Sequence, residues 1–249
     1  VGVAAQQSGD RLQLQVQSAG DRLSETEVEA IGRQAARVVS LDHDGEAFHQ
    51  LCLSNPALAQ VHMRAPGFRP ALFYSPYEAA LWSIISARRA RSQAITLRAK
   101  LSELYGAGFE LAGTRTLCVP TPSALLQIES VPSLPVDRIP RLRAVAVAAQ
   151  RGQLDAERLR AMRVEDAEAE LKQLPGIGPF YSSLIVIRAC GHADVPALGE
   201  PRSRAAIQRA YGFDHELSDA ELLGLSETWR PFRTWVSVMM RALSDSAAQ

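Results

Sequence analysis

The feature that most constrains this chain is a short turn, LPGIGP, which separates two segments with helical periodicity. The segment before the turn, VEDAEAELKQL, carries its apolar residues at the spacing of one helical face. Pro175 and Gly176 end that helix, and Pro179 suits the first turn of a second helix over residues 180–190. Gly178 is predicted to allow a second tight turn of the backbone. The sequence therefore predicts two short helices joined in a compact hairpin.

The glycines of this turn also predict a phosphate-binding site. The backbone amides of Gly176 and Gly178 can approach a phosphate that a Cβ would hold away. The second helix, beginning at Pro179, points its N-terminus at the same place, which favours an anion there. An ordinary corner between two helices has the same sequence pattern, so both interpretations remain open at this point.

Helical patterns dominate the chain from about residue 44 onward. The stretch SPYEAALWSIISARRARSQAITLRAKLSELYG is predicted to be helical from its Ser-Pro start to its Gly stop. Further helices are predicted in TPSALLQI, in SLPVDRIPRLRAVAVAAQRG and in LDAERLRAM. The predicted fold class is therefore mainly α.

The N-terminal segment has a different pattern. RLQLQVQ alternates apolar and polar residues as a half-buried strand does, and Ser24 with Glu27 predicts a capping box at the start of a helix. One strand cannot form a stable sheet, so residues 1–40 are predicted to be the remnant of a small β domain or to pack on the helical body. The rest, residues 41–249, is predicted as one helical domain with the hairpin at 164–190.

Composition limits the class of protein and its compartment. A chain of 249 residues with 47% hydrophobic and 22% charged residues is ordinary for a globular protein. The start, VGVAAQQSGD, lacks the basic and apolar parts of a secretory signal, and without an initiator Met we expect some upstream sequence to be missing. Cys52, Cys118 and Cys190 lie far apart, which argues against a disulfide framework, a zinc site and an iron–sulfur cluster. We expect a bacterial cytoplasmic protein.

The net charge is zero, but the basic residues are unevenly distributed. The two richest clusters are Arg88, Arg89, Arg91, Arg98 and Lys100, and Arg138, Arg141 and Arg143. Arginine pairs with phosphate in a bidentate manner, so both clusters are compatible with contact to DNA. The codon bias of a GC-rich bacterial genome explains the excess of arginine equally well, and both explanations remain open.

The sequence beyond the hairpin makes a family resemblance recognisable. A loop with two acids and an arginine-rich helix follow, in ADVPALGEPRSRAAIQRAYGF. The order of helix, LPGIG, aromatic residue, helix, Asp-Val loop, Gly-acid step and basic helix resembles the helix-hairpin-helix DNA glycosylase superfamily. PGFRP before SPYEAALWSII, then VPTPSALLQI, SLPVDRIPRLRAVA and WRPFRTWVSVMM, are most similar to its DNA-3-methyladenine glycosylase II branch. The resemblance covers about residues 35 to 243 and implies a two-lobed helical fold with a short N-terminal β remnant.

The resemblance also implies an activity, namely hydrolysis of the N-glycosidic bond of alkylated purines, of the 3-methyladenine type, in base-excision repair. Glu200 occupies the position of the family's essential Asp, where a carboxylate stabilises the cationic sugar as the base departs. Its extra methylene displaces the charge, and a misplacement of about 1 Å can cost about a hundredfold in rate. The alternative is a surface acid paired with Arg202 or Arg204. We interpret Asp194 as a structural acid that caps backbone amides.

Further site residues follow from the resemblance. Bifunctional relatives use a lysine two residues past the second hairpin glycine, and this chain has Phe180 there, so a Schiff-base lyase mechanism is disfavoured. An aromatic face suits an electron-poor alkylated base, although a core aromatic would also fit this position. The predicted base pocket is Phe180, Tyr181 and Leu184. The predicted DNA-binding residues are Gly176, Gly178, Pro179, Arg88, Arg89 and Arg202.

Two further regions of the chain depart from the family's pattern. Relatives carry Gln-Gln or Gln-Leu where this chain has the sequence Ala87-Arg88-Arg89, so Arg88 would have to fill the gap left by an extruded nucleotide. Relatives of the alkyl-base branch carry an aromatic residue near the end of the closing helix, where this chain has Arg241. The departures at Glu200, Ala87 and Arg241 keep a second function open, that of a DNA-binding protein that has lost its chemistry. A third, a lyase acting on oxidised bases, is disfavoured by Phe180.

The resemblance finally implies a monovalent cation, Na⁺ or K⁺, that bridges the hairpin to a phosphate through the backbone carbonyls of Lys172, Leu174 and Ile177. Hydrolysis requires no organic cofactor. The expected partner is damaged double-stranded DNA in the bacterial nucleoid, bound by a monomer and without a membrane.

Overall fold

The computed structural model describes residues 1–9, 11–18, 20 and 22–245. Within these residues the chain forms thirteen α-helices and four short strands. The helices are α1 (Glu25–Val38), α2 (Gly45–Ser54), α3 (Pro56–His62), α4 (Pro76–Ser86), α5 (Arg91–Tyr105), α6 (Pro122–Leu126), α7 (Ile139–Gln150), α8 (Ala156–Ala161), α9 (Val164–Leu171), α10 (Pro179–Arg188), α11 (Pro201–Tyr211), α12 (Asp219–Ser226) and α13 (Arg233–Asp245). The strands are β1 (Gly2–Ser8), β2 (Arg11–Gln17), β3 (Gly108–Leu111) and β4 (Thr114–Leu117). The mainly α fold class is confirmed.

The strands form two antiparallel hairpins, β1 with β2 and β3 with β4, which corrects the prediction of one isolated strand. A Cβ on Gly2 would lie 2.6 Å from Leu111 Cδ1 and 2.9 Å from Phe109 Cγ, so the first hairpin packs closely against β3. The first strand, GVAAQQS, was not predicted from the sequence because Ala and Gln have little preference for strands. Pairing therefore supplies the stability that one strand lacks.

The helix after this hairpin begins as predicted. The Ser24 amide donates to Glu27 Oε2 over 2.8 Å, and the Glu27 amide donates to Ser24 Oγ over 3.3 Å, so the capping box is confirmed. The Ser24 amide and the Ser24 hydroxyl, which also donates to Glu27 Oε2 over 2.8 Å, stabilise the charged carboxylate and lower the pKa of Glu27 from its ordinary value.

The long helix predicted between residues 75 and 106 is broken, which is a second correction. Helix α4 ends at Ser86 and α5 begins at Arg91, and Arg88 between them has a left-handed φ of +58°. Neither glycine nor proline marks this break, and a left-handed residue with a Cβ costs about 1–2 kcal/mol, so local preference predicts a continuous helix. The break lets α5 fold back onto α4, and Ile84 and Leu97 enter the same core.

Two compact units make up the chain, and each consists of two segments. The first unit comprises residues 1–35 and 73–190, and the second comprises 36–72 and 191–249. These bounds differ from the predicted division at residue 40. The segment 36–72 belongs with the C-terminal part because the apolar faces of its helices α2 and α3 are buried there.

The first unit has a core of aliphatic side chains. Its helices α4, α7 and α10 contribute fully buried residues, among them Leu81, Leu142 and Ile185. Close packing of such side chains provides most of the stabilisation of a domain of this size.

The second unit has an aromatic core. Phe48 of α2 lies with its ring centroid 5.1 Å from that of Trp235 in α13 and 5.5 Å from that of Phe232, in edge-to-face arrangements. Cys52 is fully buried beside them, and this burial raises the pKa of its thiol to about 12. None of the described helices is long and apolar enough to span a membrane.

Candidate active site and nucleic-acid interface

The predicted hairpin is present in the first unit, formed by α9, residues 172–178 and α10. Ala167 and Leu171 of α9 are buried and Ile177 of the turn is 4% exposed, so the turn is anchored in the core. Pro179 occupies the first position of α10, as predicted. The predicted apolar stripe of the first helix and the start of the second are thus confirmed.

The two glycines of the hairpin have different roles. Gly176 has a φ of +92°, and a Cβ there would lie 2.9 Å from Ile84 Cδ1 and 3.1 Å from Arg141 Cδ, so both backbone and space require glycine. Gly178 has a φ of −93°, which any residue adopts, and this corrects the prediction of a second tight turn there. A Cβ on Gly178 would meet no atom within 4 Å. A glycine at position 178 would be required only if a ligand approached its backbone closely.

The predicted base-pocket residues begin the helix α10. Phe180 is 51% exposed, so it is not the core aromatic of the alternative interpretation. Its ring centroid lies 5.3 Å from that of Tyr181 in an edge-to-face arrangement. The Tyr181 hydroxyl lies 3.3 Å from Ser86 Oγ, and Leu184 is half-buried one helical turn further on. Phe180 therefore presents an aromatic surface to solvent, supported by Tyr181 beneath it.

The arginines of the first basic cluster divide into two groups. Arg88 and Arg91 are exposed at the break between α4 and α5. Arg89 donates to the Ser133 carbonyl over 3.2 Å, and Arg98 pairs with Glu78 at 3.3 Å. The left-handed conformation at Arg88 projects a long cationic side chain from a short, strained connection. Arg88 and Arg91 are thus the residues of this cluster best suited to meet a phosphate backbone.

The second basic cluster stabilises the fold. Arg138 donates to the Ile84 carbonyl over 3.0 Å, and Arg143 donates to the Ile128 carbonyl over 2.9 Å. Arg141 pairs with Asp137 at 3.1 Å. Arg138 therefore binds the last turn of α4, beside the hairpin glycine that packs on Ile84. These contacts show that part of the arginine excess serves the fold itself.

Glu200, the predicted catalytic residue, is the N-cap of α11 in the second unit. Its Oε1 accepts the backbone N–H of Arg202 over 3.3 Å, and its Oε2 accepts the hydroxyl of Ser203, also over 3.3 Å. Its side chain is 20% exposed. The carboxylate is therefore held at a helix N-terminus, where the helix dipole favours a negative charge.

The alternative interpretation of Glu200 was an ion pair with a neighbouring arginine, Arg202 or Arg204. Arg204 donates to the Leu198 carbonyl over 2.8 Å and pairs with Asp219. The exposed Arg202 contributes its backbone N–H to Glu200. The side chain that pairs with Glu200 is Arg241, at 2.9 Å between Nη1 and Oε2. From the sequence, Arg241 was predicted only to depart from the family's pattern, and no contact with Glu200 was predicted.

The second acid of this loop, Asp194, has a structural role, as interpreted from the sequence. It accepts the backbone N–H of Arg233 at the start of α13 over 3.3 Å. The same carboxylate pairs with the Arg233 guanidinium at 2.8 Å and with Arg230 at 2.7 Å. Glu227 completes the cluster, and the pKa of its carboxyl is lowered, chiefly by the hydrogen bond from Arg230. Asp194 thus has its lone pairs occupied by the fold, whereas Glu200 keeps acceptor capacity.

The hairpin carbonyls suit the monovalent cation that the resemblance implies. The Leu174 carbonyl accepts the Ile177 amide over 3.0 Å, which leaves its second lone pair available. With Lys172 and Ile177 it offers oxygen donors alone, the kind that hard cations prefer. Among the residues that the structure describes, His, Cys, Asp and Glu side chains form no group of three or more that could hold a metal ion.

Solved structures of other proteins share the fold of this chain. The 3-methyladenine DNA glycosylase from Archaeoglobus fulgidus is 21% identical, with a TM-score of 0.79 over 96% of this chain and 81% of that one. The Clostridium acetobutylicum 8-oxoguanine glycosylase/lyase, solved with double-stranded DNA, is 17% identical, with a TM-score of 0.74 over 99% and 82% of the two chains. This chain therefore has the fold of the helix-hairpin-helix DNA glycosylases, which confirms the fold that the resemblance in the sequence implied.

Comparison with curated sequences adds one particular relative. The DNA-3-methyladenine glycosylase of Bacillus subtilis is 21% identical over 205 residues, which cover 79% of this chain and 66% of that protein. The chain thus matches just under two thirds of the relative's length. No protein-family model matches the chain. The fold is shared with enzymes named for alkylated and for oxidised bases, so it does not by itself select the substrate.

The contrast between the hairpin glycines predicts different effects on stability. Gly176→Ala should lower the free energy of unfolding by about 1–3 kcal/mol, because it places a Cβ at a strained φ and against Ile84. Gly178→Ala is the matched control and should stabilise the protein by up to about 1 kcal/mol, since its conformation and space accept a methyl group. Urea unfolding followed by circular dichroism measures both. Equal losses would contradict the assignment of Gly176 as the structural glycine.

The two acids of the loop should also differ in stability. Asp194→Asn should lower the free energy of unfolding by about 1–3 kcal/mol, because it removes one of the two charge partners of the buried Arg233 and leaves only Glu227. Glu200→Gln should cost less than about 1 kcal/mol, since its ion pair is partly exposed and an amide oxygen still caps the helix. Thermal and urea unfolding of the two variants provide the comparison. A larger loss for Glu200→Gln would assign the structural role to Glu200 instead.

Proposed function

We propose that this protein is a monofunctional DNA glycosylase that hydrolyses the N-glycosidic bond of alkylated purines in double-stranded DNA, with Glu200 as its catalytic residue. The observation that carries this proposal is the carboxylate of Glu200 at the N-terminus of α11, at the family's Gly-acid step, with acceptor capacity left over. The fold supports the reaction class, and the relatives named for 3-methyladenine support the choice of substrate.

The chemistry requires an anion at the sugar. When the bond between C1′ and the base nitrogen breaks, the electron pair leaves with the base and positive charge develops on the sugar. The Glu200 carboxylate stabilises that charge and orients a water molecule, which adds to C1′ and releases one proton. An alkylated purine with a positive charge departs as a neutral base. One water is consumed, and an abasic strand with an intact backbone remains.

The glutamate itself favours labile substrates. Its additional methylene displaces the charge from the position that an aspartate would give, and such misplacement is costly for a demanding reaction. A cationic purine already has a weakened glycosidic bond, so its release tolerates an imperfectly placed carboxylate. We therefore propose alkylated purines of the 3-methyladenine type in preference to neutral, stable lesions.

The residue after the hairpin argues against strand cleavage. Phe180 occupies the position where bifunctional relatives carry the nucleophilic lysine, so that position offers no amine for a Schiff base. Its exposed ring suits stacking on an electron-poor base, and Tyr181 and Leu184 complete the proposed pocket. The distinguishing observation is an intact abasic strand before any treatment with base.

We assign DNA contact to both units. In the first unit the amide of Gly178 and the N-terminus of α10 at Pro179 would receive a phosphate, and the exposed Arg88 would fill the gap left by the extruded nucleotide. In the second unit the exposed Arg202 would contact the DNA backbone. A Na⁺ or K⁺ ion on the carbonyls of Lys172, Leu174 and Ile177 would add positive charge toward a phosphate oxygen. A monomer bound to damaged duplex DNA completes the proposal.

The ion pair between Glu200 and Arg241 favours a second candidate function, that of a protein that only binds DNA. The ion pair with Arg241 neutralises part of the charge on Glu200, as expected if the protein binds DNA but no longer hydrolyses it. Base release distinguishes this candidate from the glycosylase.

Glu200→Gln tests the reaction. The variant should abolish release of 3-methyladenine from DNA methylated with dimethyl sulfate, because the neutral amide cannot stabilise the cationic sugar. Its affinity for an abasic duplex should remain that of the wild type. Chromatography of released bases and fluorescence anisotropy measure the two quantities. Asp194→Asn, with its unfolding accounted for, is the control acid.

Equal release by wild type and Glu200→Gln would remove Glu200 from the mechanism. Release by neither protein, on any alkylated substrate, would favour the binding-only function.

Gly178→Ala tests the hairpin as a phosphate site. The methyl group meets no protein atom, so the variant should fold and lose no stability, yet the methyl group would hold a phosphate away from the amide. Losing a hydrogen bond to a charged group should weaken duplex binding by about tenfold or more. Affinity should also fall steeply with salt, since phosphate contacts release counterions. Gly224→Ala in α12, where a Cβ also meets no atom within 4 Å, is the matched control. Binding indifferent to both salt and Gly178→Ala would leave the hairpin a structural turn.

A further inference from the structure

The two departures from the family's pattern in the second unit meet in one ion pair. Glu200 replaces the family's aspartate at the N-terminus of α11, and Arg241 replaces an aromatic residue near the end of α13. Their side chains lie 2.9 Å apart, between Nη1 and Oε2. Helices α11 and α13 pack on one another in the core of the second unit, so the backbone positions of both residues are defined by that core.

We propose that Arg241 is a positioning residue, which holds the longer carboxylate of Glu200 in the orientation that hydrolysis needs. This inference rests on the proposed function. It assigns to Arg241 no contact with the substrate, only the task of selecting one orientation of the catalytic group.

The Glu200 carboxylate has a limited number of positions that can accept a hydrogen bond. An ionised carboxylate offers about four lone-pair directions on its two oxygens. In the structure Oε2 contacts both the Ser203 hydroxyl and the Arg241 guanidinium, and Oε1 accepts the Arg202 amide. One direction on Oε1 is left to face water or a cationic sugar. The Arg241 contact thus determines which oxygen stays available.

The side chain of Glu200 is longer than that of a usual N-cap residue. Short residues such as Asp, Asn and Ser are the preferred N-caps, because their oxygens reach the first amides with little freedom. Glu200 has one more rotatable bond, and its two cap contacts are long, at 3.3 Å each. The shorter contact with Arg241 restricts that additional freedom. An aspartate would need no such restraint.

The positive charge of Arg241 has an effect on the reaction opposite to that of positioning. A guanidinium beside Glu200 weakens the field that the carboxylate exerts on a developing cation, so by charge alone Arg241 would oppose the reaction. Positioning and charge therefore predict opposite effects of removing Arg241. An experiment can separate them.

The experiment compares Arg241→Met, which has similar length without charge, with Arg241→Lys, which keeps a cation beside Oε2. Arg209→Met, at an exposed arginine of α11, is the control for loss of one positive charge. Single-turnover release of 3-methyladenine should fall about tenfold to a hundredfold in Arg241→Met, the size expected for a misplaced catalytic group. Arg241→Lys should restore most of the rate, and Arg209→Met should keep all of it.

Binding of sugar analogues gives a readout without turnover. The wild type should prefer a duplex with a cationic pyrrolidine in place of one nucleoside to a duplex with neutral tetrahydrofuran. Arg241→Met should reduce that preference, while its affinity for the tetrahydrofuran duplex and its melting temperature stay close to those of the wild type. A stronger preference for the cation in Arg241→Met would show that charge dominates, and would overturn the proposal.

A double-mutant cycle completes the test. Glu200→Asp shortens the side chain and moves its carboxylate away from Arg241. Adding Arg241→Met to this variant should therefore change the rate little, so the effects of the two substitutions on the rate should not add. Additive effects, or an unchanged rate in Arg241→Met alone, would overturn the positioning role and leave Glu200 catalytic. If the wild type released no base and did not distinguish the two analogues, the proposed function would fail, and the positioning role with it.

Discussion

The left-handed turn at Gly176 is the constraint on which the hairpin depends. The absence of a Cβ lets Ile84 of α4 and the stem of Arg141 close over the turn, and Arg138 binds the last turn of α4 from the same side. The start of α10 is thereby tied to the core of the first unit. Gly178 and Phe180 follow this anchor directly, so a rigid support presents an open backbone amide and an exposed aromatic ring. This arrangement favours a phosphate contact beside a stacking surface.

Two acidic residues of the second unit differ in how many of their hydrogen-bond acceptor positions the fold occupies. Asp194 is occupied by Arg230, Arg233 and a backbone amide, and it connects the loop after α10 to the start of α13. Glu200 lies in the same loop, yet it caps a helix and keeps one oxygen only partly engaged. The contrast shows that two carboxylates close in sequence have different hydrogen-bonding surroundings. Saturated hydrogen bonding marks the structural acid, and spare acceptor capacity marks the candidate for catalysis.

Local features were the most predictable from sequence. The capping box of Ser24 and Glu27, the helical stripe of α9 and the helix start at Pro179 each depend on residues within one or two turns. Long-range features were missed. The break at Arg88 has no local signal, because the benefit of folding α5 back onto α4 comes from burial in a core that sequence periodicity does not define. The pairing of β1 with β2 was missed for a related reason, since Ala and Gln make a weak strand on their own.

The sequence by itself determined the helical class, the hairpin, the resemblance to the glycosylases and the carboxylate at position 200. Each of these depends on residue types at short, fixed spacing. Only the tertiary structure decided that residues 36–72 pack with the C-terminal part and that Arg241 contacts Glu200. The physical reason is sequence distance. Contacts between residues forty or more positions apart depend on how whole helices pack, and helix packing is set by the summed shape of many side chains.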